Sequence, residues 1–341
     1  MLEHHYLTTL FEPKSVAVIG ASDRQNSVGN VLFKNILDSG YKGRLYPINS
    51  AHETIQGVQA YKSIEEISAR VELAVIVTRA QTVPKIIEQC GRGGVKNAIV
   101  ITSGFAEAGH SGAALERKMM EIARSYGVRL LGPNCLGIIR PHLGLNATFA
   151  RVSAHMGNLA LVSQSGAICS AVLDWATSNR IGFSSVISLG GTADVDFGEI
   201  LDYLIYDNLT HYILLYVEGI RDARRFMSAL RSAARIKPIV LLKAGRHAGG
   251  LAAVETHSGM AAGSVLRRQG AGVEVPAAGK TPGNHHQRRR PGSNGRRPCR
   301  RPRHSTRRVV RHDHAGAQRR DAADLVAAQP GRYRRRRHSQ A

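Results

Sequence analysis

The fold of this chain is most constrained by a regular alternation of short apolar runs with stretches of helical periodicity. Helical stretches such as TVPKIIEQCGRGG separate the first apolar runs, which are SVAVIG, RLYPINS, ELAVIVT, NAIVITSGF and VRLLGPN. Continuous Val, Ile and Leu runs that alternate with helices predict a parallel sheet covered on both faces. We therefore expect an α/β fold that begins with a doubly wound, Rossmann-like domain over residues 1–145.

The same alternation restarts near Gly157 and predicts a second α/β domain over residues 146–264. Its predicted strands are NLALVSQSG, SSVISLGG, YILLYVEGI and PIVLLKAG. Its predicted helices are AICSAVLDWATSN, DFGEILDYLIYD and DARRFMSALRSAARI. Between the domains, PHLGLNATFARVSAHMG is expected to form a crossover segment. The last elements of such a domain should lie beyond Ser264, so we expect this one to be incomplete.

After Ser264 the alternation ends and the composition changes abruptly. Residues 267–341 hold 21 Lys and Arg against 4 Asp and Glu, a net charge of +17 out of +22 for the whole chain. No Ile, Phe, Trp or Met occurs from Val265 onward. Such a segment cannot bury enough apolar surface to offset the entropy of ordering it. We predict a disordered, Arg-rich basic tail over residues 265–341.

Two explanations of this tail are open. Reading the codons of residues 286–310 one base later permits a string with helix and strand character, which suggests an out-of-frame product of a longer gene. Alternatively, the Arg runs would neutralise the phosphates of a nucleic acid. Tyr333 is the single aromatic residue of the tail. Because the tail has so little means of stacking bases, we expect no specific nucleic-acid binding.

Cysteine usage and the N-terminal sequence indicate the compartment. The cysteines are scattered without metal-ligand spacing, so we predict neither a disulfide framework nor a metal site; they are Cys90, Cys135, Cys169 and Cys299. The first 15 residues lack the apolar core of a signal peptide. No apolar run approaches the roughly 20 residues that a membrane helix needs. We expect a cytoplasmic protein that does not associate with membranes.

The turn after the first predicted strand has the small residues of a phosphate-binding loop. Gly20, Ala21 and Ser22 precede a helix that should begin near Val28, and the N–H groups of such a turn attract phosphate. The full G-x-G-x-x-G fingerprint is absent, and Asn49 stands where an acidic residue would hold the ribose of NAD. An NAD-dependent oxidoreductase is therefore disfavoured and a related nucleotide is favoured. The simpler alternative is a glycine required only by a tight turn.

Two later strand ends add to this candidate site. ITSGF and GPNC end their strands with small and polar residues, among them Thr102, Ser103 and Asn134. Ligands of open α/β sheets bind outside the carboxyl ends of the strands. Either motif alone is also typical of ordinary turns. Three such strand ends at one sheet edge favour a ligand site.

These motifs resemble those of a known family. SVAVIGAS, YPINS, ITSGFAE and LLGPNCLG are similar to the coenzyme A (CoA)-binding domain of succinyl-CoA synthetase α-type subunits and NDP-forming acyl-CoA synthetases. The resemblance implies a Rossmann-like CoA-binding domain followed by a flavodoxin-like, succinyl-CoA synthetase-type domain. The residues that it places against CoA are Gly20, Ala21, Ser22, Asn49, Thr102, Ser103 and Asn134.

Three motifs of the second domain contain candidate residues for phosphoryl transfer. Ser165 and Gly166, in SQSG, would bind an anion at a helix start, although Ser is also favoured there as a helix N-cap. His257, in THSG, would accept a phosphoryl group as a nucleophile, or it is a solvated loop histidine among 15 histidines. Glu218, in VEGI, would orient the imidazole ring, or it is an ordinary surface carboxylate.

The resemblance assigns roles to these residues, because the family has the same motifs in the same order. It implies that His257 is phosphorylated, that Ser165 and Gly166 receive its phosphate and that Glu218 steadies the ring. The implied reaction converts acyl-CoA, phosphate and a nucleoside diphosphate to the acid, CoA and a nucleoside triphosphate through an acyl phosphate. The ATP-grasp domain is not in this sequence. We therefore expect a separate ATP-grasp β-type subunit to supply ATP or ADP and Mg²⁺, and incomplete turnover by this chain alone.

The acyl group is expected to be small, and acetate is usual in the family. A regulatory, CoA-sensing module is the alternative function. GLNATFA and DARRFMSALRSAARIKPI are also similar to the synthetase-like region of bacterial protein lysine acetyltransferases. The sequence keeps His257, Glu218 and Gly166, which favours retained phosphotransfer chemistry.

Overall fold

The structure is a computed structural model that describes residues 5–245. Its strands are β1 (Ser15–Ile19), β2 (Arg44–Ile48), β3 (Thr54–Ile55), β4 (Val58–Gln59), β5 (Leu73–Ile76), β6 (Asn97–Val100), β7 (Arg129–Leu131), β8 (Gly137–Arg140), β9 (Leu145–Thr148), β10 (His155–Ser163), β11 (Gly182–Ser188), β12 (Tyr212–Val217) and β13 (Ile239–Lys243). Its α-helices are α1 (Thr8–Phe11), α2 (Val28–Asp38), α3 (Val83–Arg92), α4 (His110–Tyr126), α5 (Gly166–Ser178), α6 (Phe197–Tyr206) and α7 (Ala223–Ala234). Each strand and helix that the sequence predicted is present.

Local sequence signals explain where several helices begin and end. The Ser27 side chain accepts a hydrogen bond from the backbone nitrogen of Asn30 and thereby caps α2. Asp196 caps α6 in the same way, through two backbone N–H groups of its first turn. At the end of α4, Gly127 adopts the left-handed conformation (φ 65°, ψ 32°), which glycine accepts at little cost. The helix boundaries are therefore set by residues close to them in sequence.

The first sheet is a five-stranded parallel sheet of order β2-β1-β5-β6-β7. Every residue of β1, β5 and β6 is buried, as expected of strands covered by helices on both faces. The chain places β2 on one side of β1 and β5 on the other, so the connection changes direction at this point. The carboxyl ends of β1 and β5 flank this switch point, where open α/β sheets bind ligands.

The second sheet has six strands in the order β13-β12-β10-β11-β8-β9. Its first four strands are parallel, and β8 and β9 extend it in antiparallel register. The predicted crossover segment therefore contains strand β9 and the start of β10. The sequence GIIR of β8 escaped prediction because no α-helix follows it directly, so it lies outside the alternation of strands and helices. Residues 137–148 thus hydrogen-bond to the second sheet, although they follow directly on the first.

One apolar core joins the two sheets. It includes residues of β1, α2, β9, β10 and α6, for example Val18, Phe33, Ala147, Val162 and Ile200, all fully buried. Helix α2 of the first sheet packs against β9 of the second. The carboxyl ends of the two parallel regions are held against each other by this shared core. No helix within residues 5–245 is long and apolar enough to cross a membrane.

Candidate functional site

The turn between β1 and α2 is compact and depends on two glycines. Gly20 has φ 95°, and a Cβ there would lie 3.1–3.2 Å from Val77 and Thr78 at the end of β5. A Cβ on Gly29 would lie 2.0 Å from the backbone oxygen of Gly20. The helix α2 can therefore begin directly against the turn only because both positions lack side chains. The sequence prediction of a small-residue turn before a helix at Val28 is confirmed.

Two polar side chains stabilise this turn. Asn49, after β2, donates a hydrogen bond to the backbone oxygen of Ala21 at 2.8 Å. Its side-chain oxygen accepts from the backbone nitrogens of Ala51 and His52. The Ser22 side chain accepts from the backbone nitrogen of Arg24 at 3.0 Å. These contacts show that Asn49 links the ends of β1 and β2, so it has a structural role in the turn whatever ligand the turn binds.

The ends of β6 and β7 are tied to each other and to β5. The Thr102 hydroxyl donates to the backbone oxygen of Thr78 at 2.8 Å. The backbone nitrogen of Asn134 donates to the backbone oxygen of Thr102 at 3.0 Å. Asn134 has φ 57° and is exposed. Ser103, next to Thr102, is also exposed. The two motifs therefore present polar side chains side by side at one sheet edge, as the sequence predicted.

In the second sheet, the SQSG motif forms a rigid turn before α5. Ser165 is the N-cap of α5 and accepts from the backbone nitrogen of Ile168 at 3.4 Å, so the capping alternative is part of its role. The Ser163 hydroxyl donates to the backbone oxygen of Ser165 at 2.9 Å and accepts from its backbone nitrogen at 3.0 Å. The first N–H groups of a helix have no partner within it. The turn thus offers donors at a fixed position.

A single cavity of about 720 Å³ unites candidate residues from both sheets. Those that line it are Thr102, Ser103, Asn134, Ser165, Gly166 and Glu218. Gly20, Ala21, Ser22 and Asn49 do not line it. Gly20 nevertheless borders it, because Val77 and Thr78 both contact Gly20 and line the cavity. The structure therefore brings six of the predicted residues, from both sheets, to one cavity and leaves the turn after β1 and Asn49 outside its lining.

The charges in this cavity are few. Among the described residues that line it, Arg79 is the one cation and Glu218 the one carboxylate. Glu218 is only 6% exposed, so the interpretation as an ordinary surface carboxylate is wrong. Arg79, after β5, is exposed. An anionic ligand in this cavity would therefore meet one exposed cation and one buried carboxylate.

Cys135 also lines the cavity, but its thiol is not a nucleophile. Burial raises its pKa to about 12, so that the thiol stays protonated at neutral pH. Its Sγ donates weakly to the backbone oxygen of Val100 at 3.4 Å. Cys90 and Cys169 are likewise buried free thiols, and Cys299 lies outside the described residues. Within residues 5–245, no group of three or more His, Cys, Asp or Glu could hold a metal ion.

His257 lies outside the described residues, as does the basic tail from residue 265. The sequence reasoning also missed residues that shape the site. Gln164 and Lys243 both bond the turn that carries Glu218. Gly190 and Gly191 line the cavity from the loop after β11, where a Cβ on Gly190 would lie 2.4 Å from two carbonyl oxygens of the GPN turn. The signals for Gly190 and Gln164 were present in SSVISLGG and SQSG, whereas Lys243 gave none without its partner.

Comparisons with known proteins agree with this geometry. Two family models match the chain, a CoA binding domain over residues 14–141 and a succinyl-CoA ligase-like flavodoxin domain over residues 156–270. The chain is 48% identical over 255 residues to an ADP-forming acetate–CoA ligase of Archaeoglobus fulgidus, covering 75% of this chain and 37% of that protein. The chain thus carries a CoA binding domain followed by a succinyl-CoA ligase-like flavodoxin domain, and it is similar to ADP-forming acetate–CoA ligases.

Two further relatives show how much of a related protein the chain covers. It is 43% identical to the α subunit of ADP-forming acetate–CoA ligase I of Pyrococcus furiosus, covering 76% of this chain and 57% of that subunit. It also matches the structure of a Ca. Korarchaeum cryptofilum acetyl-CoA synthetase in complex with phosphate and ADP, with a TM-score of 0.73 and 39% identity. That match covers 76% of this chain and 56% of the other. The chain therefore spans between 37% and 57% of these relatives.

Proposed function

We propose that this chain is the CoA-binding and phosphohistidine portion of an NDP-forming acyl-CoA synthetase. The observation that supports this most directly is the shared cavity. It places the polar strand ends of the CoA-binding domain beside the SQSG turn and Glu218 of the flavodoxin-like domain. Acyl transfer to phosphate requires a thioester and a phosphate to meet in one place. A cavity lined by both domains supplies such a place.

CoA fits the residues at the first sheet's edge. Gly20 lets the turn pack closely against Val77 and Thr78, and the N-terminus of α2 adds partial positive charge that attracts a phosphate. In this proposal the Gly20–Ser22 turn binds the phosphate groups of CoA. Thr102, Ser103 and Asn134 then contact its pantetheine arm on the way into the cavity. Arg79 also lines this cavity and contributes the positive charge that a highly anionic ligand needs.

The SQSG turn is proposed to hold the transferred phosphoryl group. Helix α5 is 13 residues long, and Gly166 and Ala167 of its first turn line the cavity. Ser165 is buried. The Ser163 hydroxyl bonds both its backbone oxygen and its backbone nitrogen, which holds it in place. A phosphate there would meet backbone donors and the positive end of the helix. Positioning and charge stabilisation of this kind supply most of the catalysis in phosphoryl transfer.

His257 is proposed to carry the phosphoryl group between two reactions. Phosphate attacks the thioester to release CoA and form an acyl phosphate, and His257 then takes the phosphoryl group and releases the acid. Glu218 accepts the second ring N–H of His257 and keeps the attacking nitrogen unprotonated. The phosphoryl group leaves His257 for a nucleoside diphosphate. Each step also runs in reverse.

The nucleotide step requires a partner in this proposal. The described residues offer no acidic cluster for Mg²⁺, and the α subunit that the chain resembles is one component of a ligase. We propose that an ATP-grasp β-type subunit or domain binds ATP or ADP with Mg²⁺. The acyl substrate is proposed to be small, with acetate as the first candidate. The relatives described above are ligases, so a CoA-sensing regulatory module is not favoured.

Two measurements test this function. Calorimetric titration with CoA should show binding to the full chain. Labelled ATP, Mg²⁺ and an ATP-grasp β-type subunit of an ADP-forming acetate–CoA ligase should then give acid-labile, alkali-stable phosphate on the chain. His257→Asn should abolish this phosphate and keep CoA binding, whereas the matched variant His110→Asn, at an exposed helix start, should retain both. A chain that ignores CoA, or a His257→Asn variant that is still labelled, contradicts the proposal.

A further inference from the structure

The turn that carries Glu218 is held from two sides by side chains that the proposed reaction does not otherwise use. The side-chain oxygen of Gln164 accepts hydrogen bonds from the backbone nitrogens of Glu218, at 2.6 Å, and Gly219, at 2.9 Å. From the other side, the Nζ of Lys243 donates to the backbone oxygen of Glu218 at 2.8 Å. These two residues are called the Glu218 clamp below.

The clamp is built from three neighbouring strands. Gln164 follows β10, Glu218 follows β12 and Lys243 ends β13, and these strands lie side by side in the order β13-β12-β10. Gln164 is 5% exposed, and its own backbone nitrogen donates to the backbone oxygen of Tyr216 at 3.2 Å. The donors and the acceptor of the turn are thus both bonded. Gln164 accepts from the N–H groups of the turn, and Lys243 donates to its carbonyl.

The Glu218 carboxylate lies close enough to influence ionisable groups of strand β12, which it follows, and of the neighbouring strand β13. Burial raises the pKa of Tyr216, and the charge of Glu218 raises it further. Burial lowers the pKa of Lys243, and the charge of Glu218 opposes that shift. The clamp fixes three backbone atoms of the turn, the nitrogen and oxygen of Glu218 and the nitrogen of Gly219. It thereby fixes the backbone position from which the buried carboxylate extends.

We propose that Gln164 and Lys243 are positioning residues that hold Glu218 in the orientation needed for phosphoryl transfer. The inference rests on the proposed function, since both residues act only through Glu218. A displacement of about 1 Å in a positioned catalytic group can cost up to about 100-fold in rate. Loss of either side of the clamp should therefore reduce the rate of histidine phosphorylation without changing CoA affinity.

Lys237 provides a matched control for Lys243. It is also a lysine whose Nζ donates to two backbone oxygens, those of Leu204 and Asp207, but neither bond reaches the turn of Glu218. Lys237→Met and Lys243→Met therefore remove the same kind of contact at two different places. A purely structural effect should be similar in both variants, whereas a positioning effect should be confined to Lys243→Met.

The experiment measures the rate of phosphate uptake by the full chain from labelled ATP, Mg²⁺ and the β-type subunit, corrected for the folded fraction by circular dichroism. We expect Lys243→Met and Gln164→Met to lower this rate about 10-fold or more, with CoA affinity unchanged. Lys243→Arg, which keeps a donor, should recover most of the rate. Lys237→Met should match the wild type per folded molecule.

A double variant tests whether Gln164 acts through Glu218. Glu218→Gln alone should lower the rate, and adding Gln164→Met should lower it no further, because effects through one shared group are not additive. A further loss in the double variant overturns the inference. A wild-type rate in both Lys243→Met and Gln164→Met overturns it as well. A Glu218→Gln variant with the wild-type rate also overturns it. A wild-type chain that takes up no phosphate contradicts the proposed function instead.

Discussion

The buried ion pair between Arg140 and Asp207 offers a direct test of what stabilises the second sheet, because it ties strand β8 to the end of helix α6. Arg140, in β8, is 1% exposed, and its Nη1 donates to the Asp207 carboxylate at 2.7 Å. Its Nη2 lies 3.5 Å from Glu12, near the N-terminus. The Asp207 carboxylate also accepts from Thr210 at 2.9 Å. The variant Arg140→Met removes the guanidinium and keeps much of the apolar volume.

The expected loss follows from the burial of the remaining carboxylate. Removing one partner of a buried ion pair typically costs about 3–5 kcal/mol. Asp207 keeps its hydrogen bonds from Thr210 and from the backbone nitrogen of Leu209, so we expect the lower end, about 3 kcal/mol. That is a large share of the roughly 5–15 kcal/mol that stabilises an ordinary domain. Adding Asp207→Asn to Arg140→Met should recover about 2 kcal/mol, because no buried charge remains.

The pH dependence supplies a second signature. Burial alone would raise the pKa of Asp207, but the hydrogen bond and charge of Arg140 overcome this and lower it below its ordinary value. A carboxylate with a lowered pKa stabilises the fold above its unfolded pKa, and this contribution is lost as the pH falls through its folded pKa. Protonation removes the unpaired charge in Arg140→Met. The stability difference between wild type and variant should therefore shrink between pH 7 and about pH 4.

Urea unfolding followed by far-ultraviolet circular dichroism measures both effects. The matched control is Arg44→Met, the same substitution at an exposed strand position, which should change stability by less than about 0.5 kcal/mol. A loss below about 1 kcal/mol for Arg140→Met would refute the importance of the buried pair. A loss of the expected size that does not change with pH would assign it to packing and not to charge.

Three further predictions concern the site and the sheet interface. Gly20→Ala, at φ 95°, would place its Cβ 3.1–3.2 Å from Val77 and Thr78 and should weaken CoA binding about 10-fold in calorimetry. The control Gly40→Ala, at φ 75° in open space, should leave CoA binding unchanged. Gly190→Ala should lower the melting temperature by about 4 °C or more, since its Cβ would lie 2.4 Å from two carbonyl oxygens. Glu199→Gln should cost about 2 kcal/mol in urea unfolding at pH 7, because Arg129 bonds both carboxylate oxygens. Hydrogen bonds to Arg129 lower the pKa of Glu199 against the effect of burial, so this cost should diminish as the pH falls through that pKa.

The sequence by itself determined the order of strands and helices and the positions of the small-residue turns at the strand ends. Runs such as SVAVIG and YILLYV encode buried strands locally, and capping residues such as Ser27 and Gly127 lie beside the boundaries that they set. Because parallel strands share one carboxyl edge, Thr102 and Asn134 were predicted to be neighbours without any knowledge of tertiary contacts.

Only the tertiary structure decided how the two domains meet and which side chains support the candidate site. Gln164 bonds the turn of Glu218 across 54 positions, and Arg140 pairs with Asp207 across 67. The strand GIIR joins the second sheet because β11 offers it an edge, which no local pattern announces. Such contacts depend on the meeting of segments that are distant along the chain. Local periodicity therefore encodes the elements and their turns, whereas the packing of one sheet against the other creates the shared cavity.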